Sequence, residues 1–184
     1  PLTLAALALL GGTAAHAQSS VTVYGRVDLS LAQQADAVKN KEIRNGSGSR
    51  LGFRGVEDLG GGLSAVFQIE HRFDADTGAA KDAAKNGPFW EGKSIVGLEG
   101  GFGRLTLGRE DNAAYTLSQL VADPFGFDTV ATNSSILSGR IGSTRYSNSV
   151  NYRFSASGFT VAGQIAEVEN NTPAGTGGLA EKRP

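Results

Sequence analysis

The 184 residues carry 17 lysines and arginines against 18 aspartates and glutamates, a net charge of −1, and they contain no cysteine. The near-neutral balance argues against a nucleic-acid-binding protein or a polybasic membrane-surface segment. The lack of cysteine excludes a disulfide-stapled secreted domain and every cysteine-based metal site.

The first 17 residues are typical of the end of a secretory signal peptide. Residues 2–10 form an uncharged run that is apolar except for Thr3, and residues 15–17 supply a small-x-small cleavage pattern. The positive start of such a peptide is missing, which indicates truncation; a short buried helix is the alternative. The run is too short to span a bilayer as a helix. We therefore expect an exported mature chain over residues 18–184.

Seven later segments alternate apolar and polar side chains with a period of two, which predicts β-strands. In the first segment, valines and leucines share one face, while Tyr24, Arg26 and Asp28 share the other. Each segment is near the length that crosses a tilted bilayer. The predicted strands are 21–32, 49–56, 63–73, 90–100, 104–109, 145–154 and 159–166.

The connections between these strands alternate in length. Tight glycine-bearing turns alternate with long polar loops at 32–48, 74–89 and 110–142. Short turns on one side and long loops on the other are typical of outer-membrane barrels. The charged face would be too costly to bury in a soluble barrel core. A soluble β-sandwich could turn that face to water, and it remains the alternative.

Aromatic residues lie at two levels along the predicted strands, as in the girdles of membrane barrels. Those near the long loops are Phe73, Phe89, Trp90 and Tyr146. Those near the short turns are Phe102, Phe154 and Phe159. Lys81, Lys85 and Lys93 belong to or border the second long loop, and we expect them to be solvated.

Several runs together resemble a known family: SSVTVYGRVD, SRLGFRGVEDLGGGLSAVFQIE, GLEGGFGRLTLGRED and NSVNYRF. They resemble the N-terminal part of general diffusion porins of the Gram-negative outer membrane. The resemblance implies an all-β, transmembrane, antiparallel up-and-down β-barrel of about sixteen strands that assembles as a homotrimer. Because about seven strands are present here and an open edge is not viable in lipid, we expect this chain to be the N-terminal part of a longer one.

In that family the third long loop folds into the lumen and narrows it. By resemblance, residues 110–142 are the constriction loop, and Asp123 in the run ADPFG is its acidic residue facing the pore. Arg26, Arg50 and Arg54 are predicted to form a basic wall. Loop acids, among them Glu110, Asp111 and Asp123, are predicted to face this wall. The full predicted lining set is Arg26, Asp28, Arg50, Arg54, Glu70, Arg72, Arg109, Glu110, Asp111, Asp123, Arg145 and Arg153. Arg104, near a short turn, is left out.

The predicted function is passive diffusion of small hydrophilic solutes and ions, with no catalysis, cofactor or metal. The excess of strand arginines predicts a preference for anions. Outer-membrane lipid and lipopolysaccharide would surround the barrel. The alternatives are a substrate-specific channel, a barrel enzyme and a secreted β-sandwich adhesin. Tyr24 and Tyr115 alone do not make a specific path, and His71 has the parity of the apolar face, which disfavours a general base.

Overall fold

The computed structural model describes residues 20–33, 41–46, 48–81, 87–126 and 143–167. The predicted signal peptide, residues 127–142 of the predicted constriction loop and residues 168–184 lie outside the described residues. Within the described ranges, no helix is long and apolar enough to span a membrane.

Antiparallel strands make up most of the described chain. They are β1 Ser20–Arg26, β2 Leu29–Gln33, β3 Lys41–Asn45, β4 Arg50–Gly60, β5 Leu63–Asp74, β6 Ala79–Ala80, β7 Lys93–Gly100, β8 Gly103–Asp111, β9 Arg145–Ala156 and β10 Phe159–Ala166. One helical segment follows β8; it is a π-helical turn, Tyr115–Gln119, that continues as the α-helical turn Leu120–Ala122. We call these two turns the loop helix.

The main sheet follows chain order, as an up-and-down barrel wall requires. Its order is β1-β4-β5-β7-β8-β9-β10, and the short β6 pairs with β5. Tight turns join β4 to β5, β7 to β8 and β9 to β10. Gly61 and Gly62 take φ values of 63° and 79° in the first of these turns, a region that favours glycine. The predicted fold class and the alternation of short and long connections are therefore confirmed.

The first predicted strand is wrong in its extent. β1 ends at Arg26, and β2 pairs with β3 in a separate two-stranded sheet. The cause lies at Asp28, whose backbone N–H donates to Ser49 Oγ at 2.9 Å. Its carbonyl accepts the Gly46 N–H at 2.8 Å, so neither group continues the ladder with β4. The predicted loop 32–48 consequently contains a strand, β3.

The sheet has an apolar face that is exposed and a polar face that is partly covered. Residues directly opposite in an antiparallel pair share a face, so Val23, Phe53, Ile69 and Val161 belong to the apolar one. Val23 is 62 % exposed. Among the described residues, the buried hydrophobic side chains are Val66 and Ile95, whereas seven buried residues are polar or charged. Such an inside-out pattern suits a wall with lipid on one side and water on the other.

Candidate functional site

Three arginines stand side by side on the polar face, at the end away from the tight turns. Arg26, Arg50 and Arg72 are directly opposite one another on β1, β4 and β5. Adjacent strands lie ~4.8 Å apart, so three like charges meet in one row. Carboxylates moderate the repulsion: Arg26 Nη2 lies 4.0 Å from Asp28 Oδ2, and Arg72 Nε lies 2.9 Å from Glu70 Oε1.

Tyr24 lies across β4 beside this row. A Cβ atom on Gly52 would stand 2.4 Å from the Tyr24 ring, so the missing side chain makes room for the tyrosine. The Tyr24 hydroxyl accepts from Gln68 Nε2 at 2.6 Å and donates to Glu70 Oε2 at 3.1 Å. The Arg54 Cζ atom lies 5.5 Å from the ring centroid. Tyr24 thus anchors Arg54 by a cation–π contact while its own hydroxyl is held on β5.

A connected set of ion pairs, which we call the charge chain, runs across β5, β7, β8 and β9. Its distances are 3.7 Å for Arg72–Glu91, 3.7 Å for Glu91–Arg145, 2.8 Å for Arg145–Asp111, 3.0 Å for Asp111–Lys93 and 2.7 Å for Lys93–Glu110. Each positive group touches at least one carboxylate, and the side chains are 11–22 % exposed. Partly buried charges that are mutually paired bind neighbouring strands to one another.

The charge chain corrects the predicted position of two lining residues. Glu110 and Asp111 were expected on the loop, facing a distant arginine wall. Both instead end β8, and both contact Lys93 Nζ. A register shift between Gly108 and Glu110 turns these two adjacent residues toward the same lysine, because a bulge interrupts strict alternation. Arg72 and Arg145 are likewise only 15 % and 11 % exposed, and their charges are taken up within the wall.

Sequence reasoning missed Lys93 and Glu91. Lys93 was expected to be solvated, but its side chain is 22 % exposed and forms two ion pairs. Its parity, opposite to that of Val96 and Leu98 in β7, was the available signal for the polar face. Glu91 lies in the predicted strand 90–100, but β7 begins only at Lys93, and the contacts of Glu91 with two arginines depend on the folded structure.

The root of the predicted constriction loop is fastened by Asn112. Its backbone N–H donates to Thr144 O at 2.8 Å, and its Nδ2 donates to Ser143 O at 3.1 Å. Its Oδ1 accepts the Ala114 N–H at 2.8 Å, which caps the helical turns that follow. One side chain therefore joins the start of the loop to its end and directs the chain into the loop helix.

Asp123, the predicted acidic residue facing the pore, is only 4 % exposed. Its Oδ1 accepts the Phe125 N–H at 3.2 Å, and its carbonyl accepts the Gly126 N–H at 2.9 Å. These bonds shape the turn after the loop helix. The predicted role of Asp123 as the acidic residue facing the pore stays a prediction.

Arg109 is also placed differently from the prediction. It is opposite Ser94, which is opposite Ile69, so Arg109 has the parity of the apolar face. Its Nε donates to Glu91 O and its Nη1 to Ser147 Oγ, both at 2.9 Å. Strict alternation with Leu105 and Leu107 already indicated this face. His71, as predicted, has apolar-face parity, and its ring stacks on Phe89 at 4.1 Å.

The remaining predicted residues lie on the polar face. Arg54 is exposed, opposite Thr22 and Gln68. Arg153 is exposed near the β9–β10 turn, opposite Arg104, which the prediction left out. Among the described residues, no group of three or more His, Cys, Asp or Glu side chains is positioned to hold a metal ion.

Known proteins are similar to this chain in sequence and in fold. The sequence matches the profile of the Gram-negative porin family over residues 3–183. It is 36 % identical to an outer membrane porin protein of Bordetella pertussis, covering 85 % of this chain and 46 % of the relative. It is 44 % identical to outer membrane porin protein 32 of Delftia acidovorans, covering 58 % and 31 %.

A solved structure is also similar to this chain. The anion-selective porin from Comamonas acidovorans superposes with a TM-score of 0.66 at 30 % identity, covering 81 % of this chain and 47 % of that one. The chain spans less than half the length of each of these relatives.

Proposed function

We propose, from the premise that this chain belongs to the Gram-negative porin family, that it forms part of the wall of a water-filled outer-membrane channel for small hydrophilic solutes and ions. The observation that carries the proposal is that one continuous sheet has an apolar face and a polar face. One face exposes valine, leucine and isoleucine; the other holds charged and amide side chains. A polar wall replaces part of the hydration of a passing solute, which lets it diffuse without catalysis.

The channel is proposed to prefer anions. Arg54 and Arg153 are exposed on the polar face, and neither side chain forms a hydrogen bond or ion pair within the described residues. Arginine stays charged at any working pH, so these groups contribute a permanent positive potential. The anion-selective porin from Comamonas acidovorans, with the same fold, supports this sign.

The lining set of the proposal is smaller than the sequence suggested. Arg26, Asp28, Arg50, Arg54 and Arg153 are proposed to contribute to the field in the lumen. Glu70, Arg72, Glu110, Asp111 and Arg145 are proposed to hold the wall in shape. The constriction loop remains proposed for the predicted range 110–142 apart from its first two residues, which end β8; the loop helix near its start supports it.

Assembly and export are also proposals. The exposed apolar face, with Val21 64 % exposed on β1, would contact outer-membrane lipid, lipopolysaccharide or a second subunit. The homotrimer follows from the family resemblance, and residues 1–17 are proposed as the signal peptide. The relatives named above are porins, which are not enzymes, and no catalytic role is proposed here.

Bilayer recording on the full-length protein tests this function. The protein is folded in detergent, inserted into a planar bilayer and studied in a KCl gradient. Stepwise conductance with a reversal potential toward that of chloride is the expected result. Conductance with a cation-selective potential would remove the anion preference but keep the channel. Heat-resistant folded protein without conductance would contradict the porin function itself.

A further inference from the structure

A second basic cluster lies at the tight-turn end of the polar face, far along the strands from the arginine row. Arg104 on β8 is directly opposite Arg153 on β9. On the other side of Arg104, Glu99 is opposite it, and the Arg104 Nη1 to Glu99 Oε2 distance is 3.5 Å. The Arg104 side chain is 39 % exposed, and Arg153 is exposed as well.

The charges of this cluster do not cancel. Two arginines against one glutamate leave a net charge of +1. The cross-strand neighbours of Arg153 are Arg104 and Ala162, so neither neighbour supplies a carboxylate. Like charges directly opposite in a sheet are destabilising unless a counter-charge is present. Within the described residues, Arg153 has no such counter-charge.

Neutral donors occupy the next cross-strand pair beyond Arg153 on the same face. Ser155 Oγ and Thr160 Oγ1, the next pair on the same face, are 2.9 Å apart. The two hydroxyl groups carry one proton each. The hydrogen bond between them uses one of these protons, so the second proton is available to another acceptor. On the opposite side, Gln164 Nε2 donates to Asn151 Oδ1, and Asn151 Nδ2 donates to Ser149 Oγ at 3.1 Å. The cluster therefore offers donors and positive charge in one place.

We propose that Arg153, Arg104 and the Ser155–Thr160 hydroxyl pair form a binding site for a small oxyanion at the tight-turn end of the lumen. A guanidinium fork matches two oxygens of one oxyanion, and charge-assisted bonds of this kind are the strong ones. The hydroxyl proton supplies a third contact. The site rests on the proposed channel function, since the polar face must be solvent-filled for an anion to reach it.

Phosphate block of the chloride current in the full-length channel tests the site. Inorganic phosphate is added to each side of the bilayer in turn, and the half-blocking concentration is recorded. Arg153→Gln is expected to raise that concentration about tenfold, because it removes a charge-assisted fork. Arg153→Lys keeps the charge without the fork and is expected to raise it less. Arg44→Gln, which removes one arginine from the exposed β2–β3 sheet, is the matched control and is expected to leave it unchanged.

Three outcomes would overturn the site. The first is an unchanged half-blocking concentration in Arg153→Gln and Arg104→Gln. The second is an equal rise in Arg44→Gln, which would assign the effect to total charge. The third is a wild-type channel that phosphate does not block, which leaves the porin function intact. Absence of any channel from heat-resistant folded protein would overturn the porin function and the site together, so the two failures are distinguishable.

Discussion

The charge chain and the two exposed arginines, Arg54 and Arg153, use charge on the same polar face in opposite ways. In the charge chain every cation touches a carboxylate, with distances down to 2.7 Å. Arg54 lies over the ring of Tyr24, and among the described residues neither Arg54 nor Arg153 forms an ion pair. Parity alone made the arginines of both groups, Arg54, Arg72, Arg145 and Arg153, candidate pore-lining residues. The comparison indicates that charge on this face stabilises the wall where it is paired and acts on solutes where it is not.

Burial explains the division. Charge-chain side chains are partly removed from water, so each requires a partner, and loss of one partner is costly. The exposed arginines keep their hydration and need no carboxylate. Their field reaches into the solution and is weakened by salt. Stability and selectivity should therefore respond to different substitutions.

Arg145→Gln should give the largest effect by breaking the charge chain at its most buried cation. Glu91 and Asp111 would lose a partner while 15 % and 14 % exposed, and the free energy of unfolding should fall by about 3 kcal/mol. Guanidinium unfolding of the full-length protein in detergent measures this free energy. Arg44→Gln, whose side chain is 52 % exposed, should cost less than about 1 kcal/mol. An equal loss of unfolding free energy in the two variants would contradict the structural role of the charge chain.

Gly52→Ala tests the support of an exposed arginine. The new methyl group would stand 2.4 Å from the Tyr24 ring and force the ring away from Gln68, Glu70 and Arg54. Overpacking of this kind typically costs about 1–3 kcal/mol. Anion selectivity should fall as well, because Arg54 would lose its anchor. Gly61→Ala, where nothing lies within 4 Å, is the control for strain alone. Unchanged selectivity in a folded Gly52→Ala channel would show that Tyr24 does not position Arg54.

Arg54→Gln should change selectivity without changing stability. The chloride-to-potassium permeability ratio should drop at most roughly fivefold, the factor for about 1 kcal/mol between unit charges in water. The unfolding midpoint should stay near the wild-type value, since within the described part of the chain Arg54 forms no ion pair with another strand. Reversal potentials and guanidinium midpoints from one preparation provide the measurement. A large drop in the unfolding midpoint would show that Arg54 stabilises the wall, as the charge chain does.

A change of salt concentration should give the smallest of these effects, and it should affect the two regions differently. Between about 0.1 M and 1 M KCl the Debye length shrinks from about 10 Å to about 3 Å, so anion selectivity from exposed arginines should decline. The charge chain is partly buried and in direct contact, so the unfolding midpoint should hardly move. Selectivity that persists at 1 M salt would indicate an anion site in close contact rather than a long-range field.

Much of the fold followed from sequence pattern. Period-two alternation gave the strands, and it assigned Tyr24, Arg54 and Glu70 to the polar face and His71 to the apolar one. It would also have assigned Arg109 correctly, had parity been applied through the end of β8. Two local hydrogen bonds at Asp28 broke the first strand, and alternation carries no signal for such a break.

The sequence by itself determined an inside-out antiparallel wall, because side-chain alternation along a strand is a local property of the backbone. Only the tertiary structure decided which charges cancel. Register brought Arg104 opposite Arg153, and a bulge turned Glu110 and Asp111 toward one lysine. Ion pairing depends on distances of a few ångströms between residues far apart in the chain. Parity fixes the face on which a charge lies, but not the partner that it meets there.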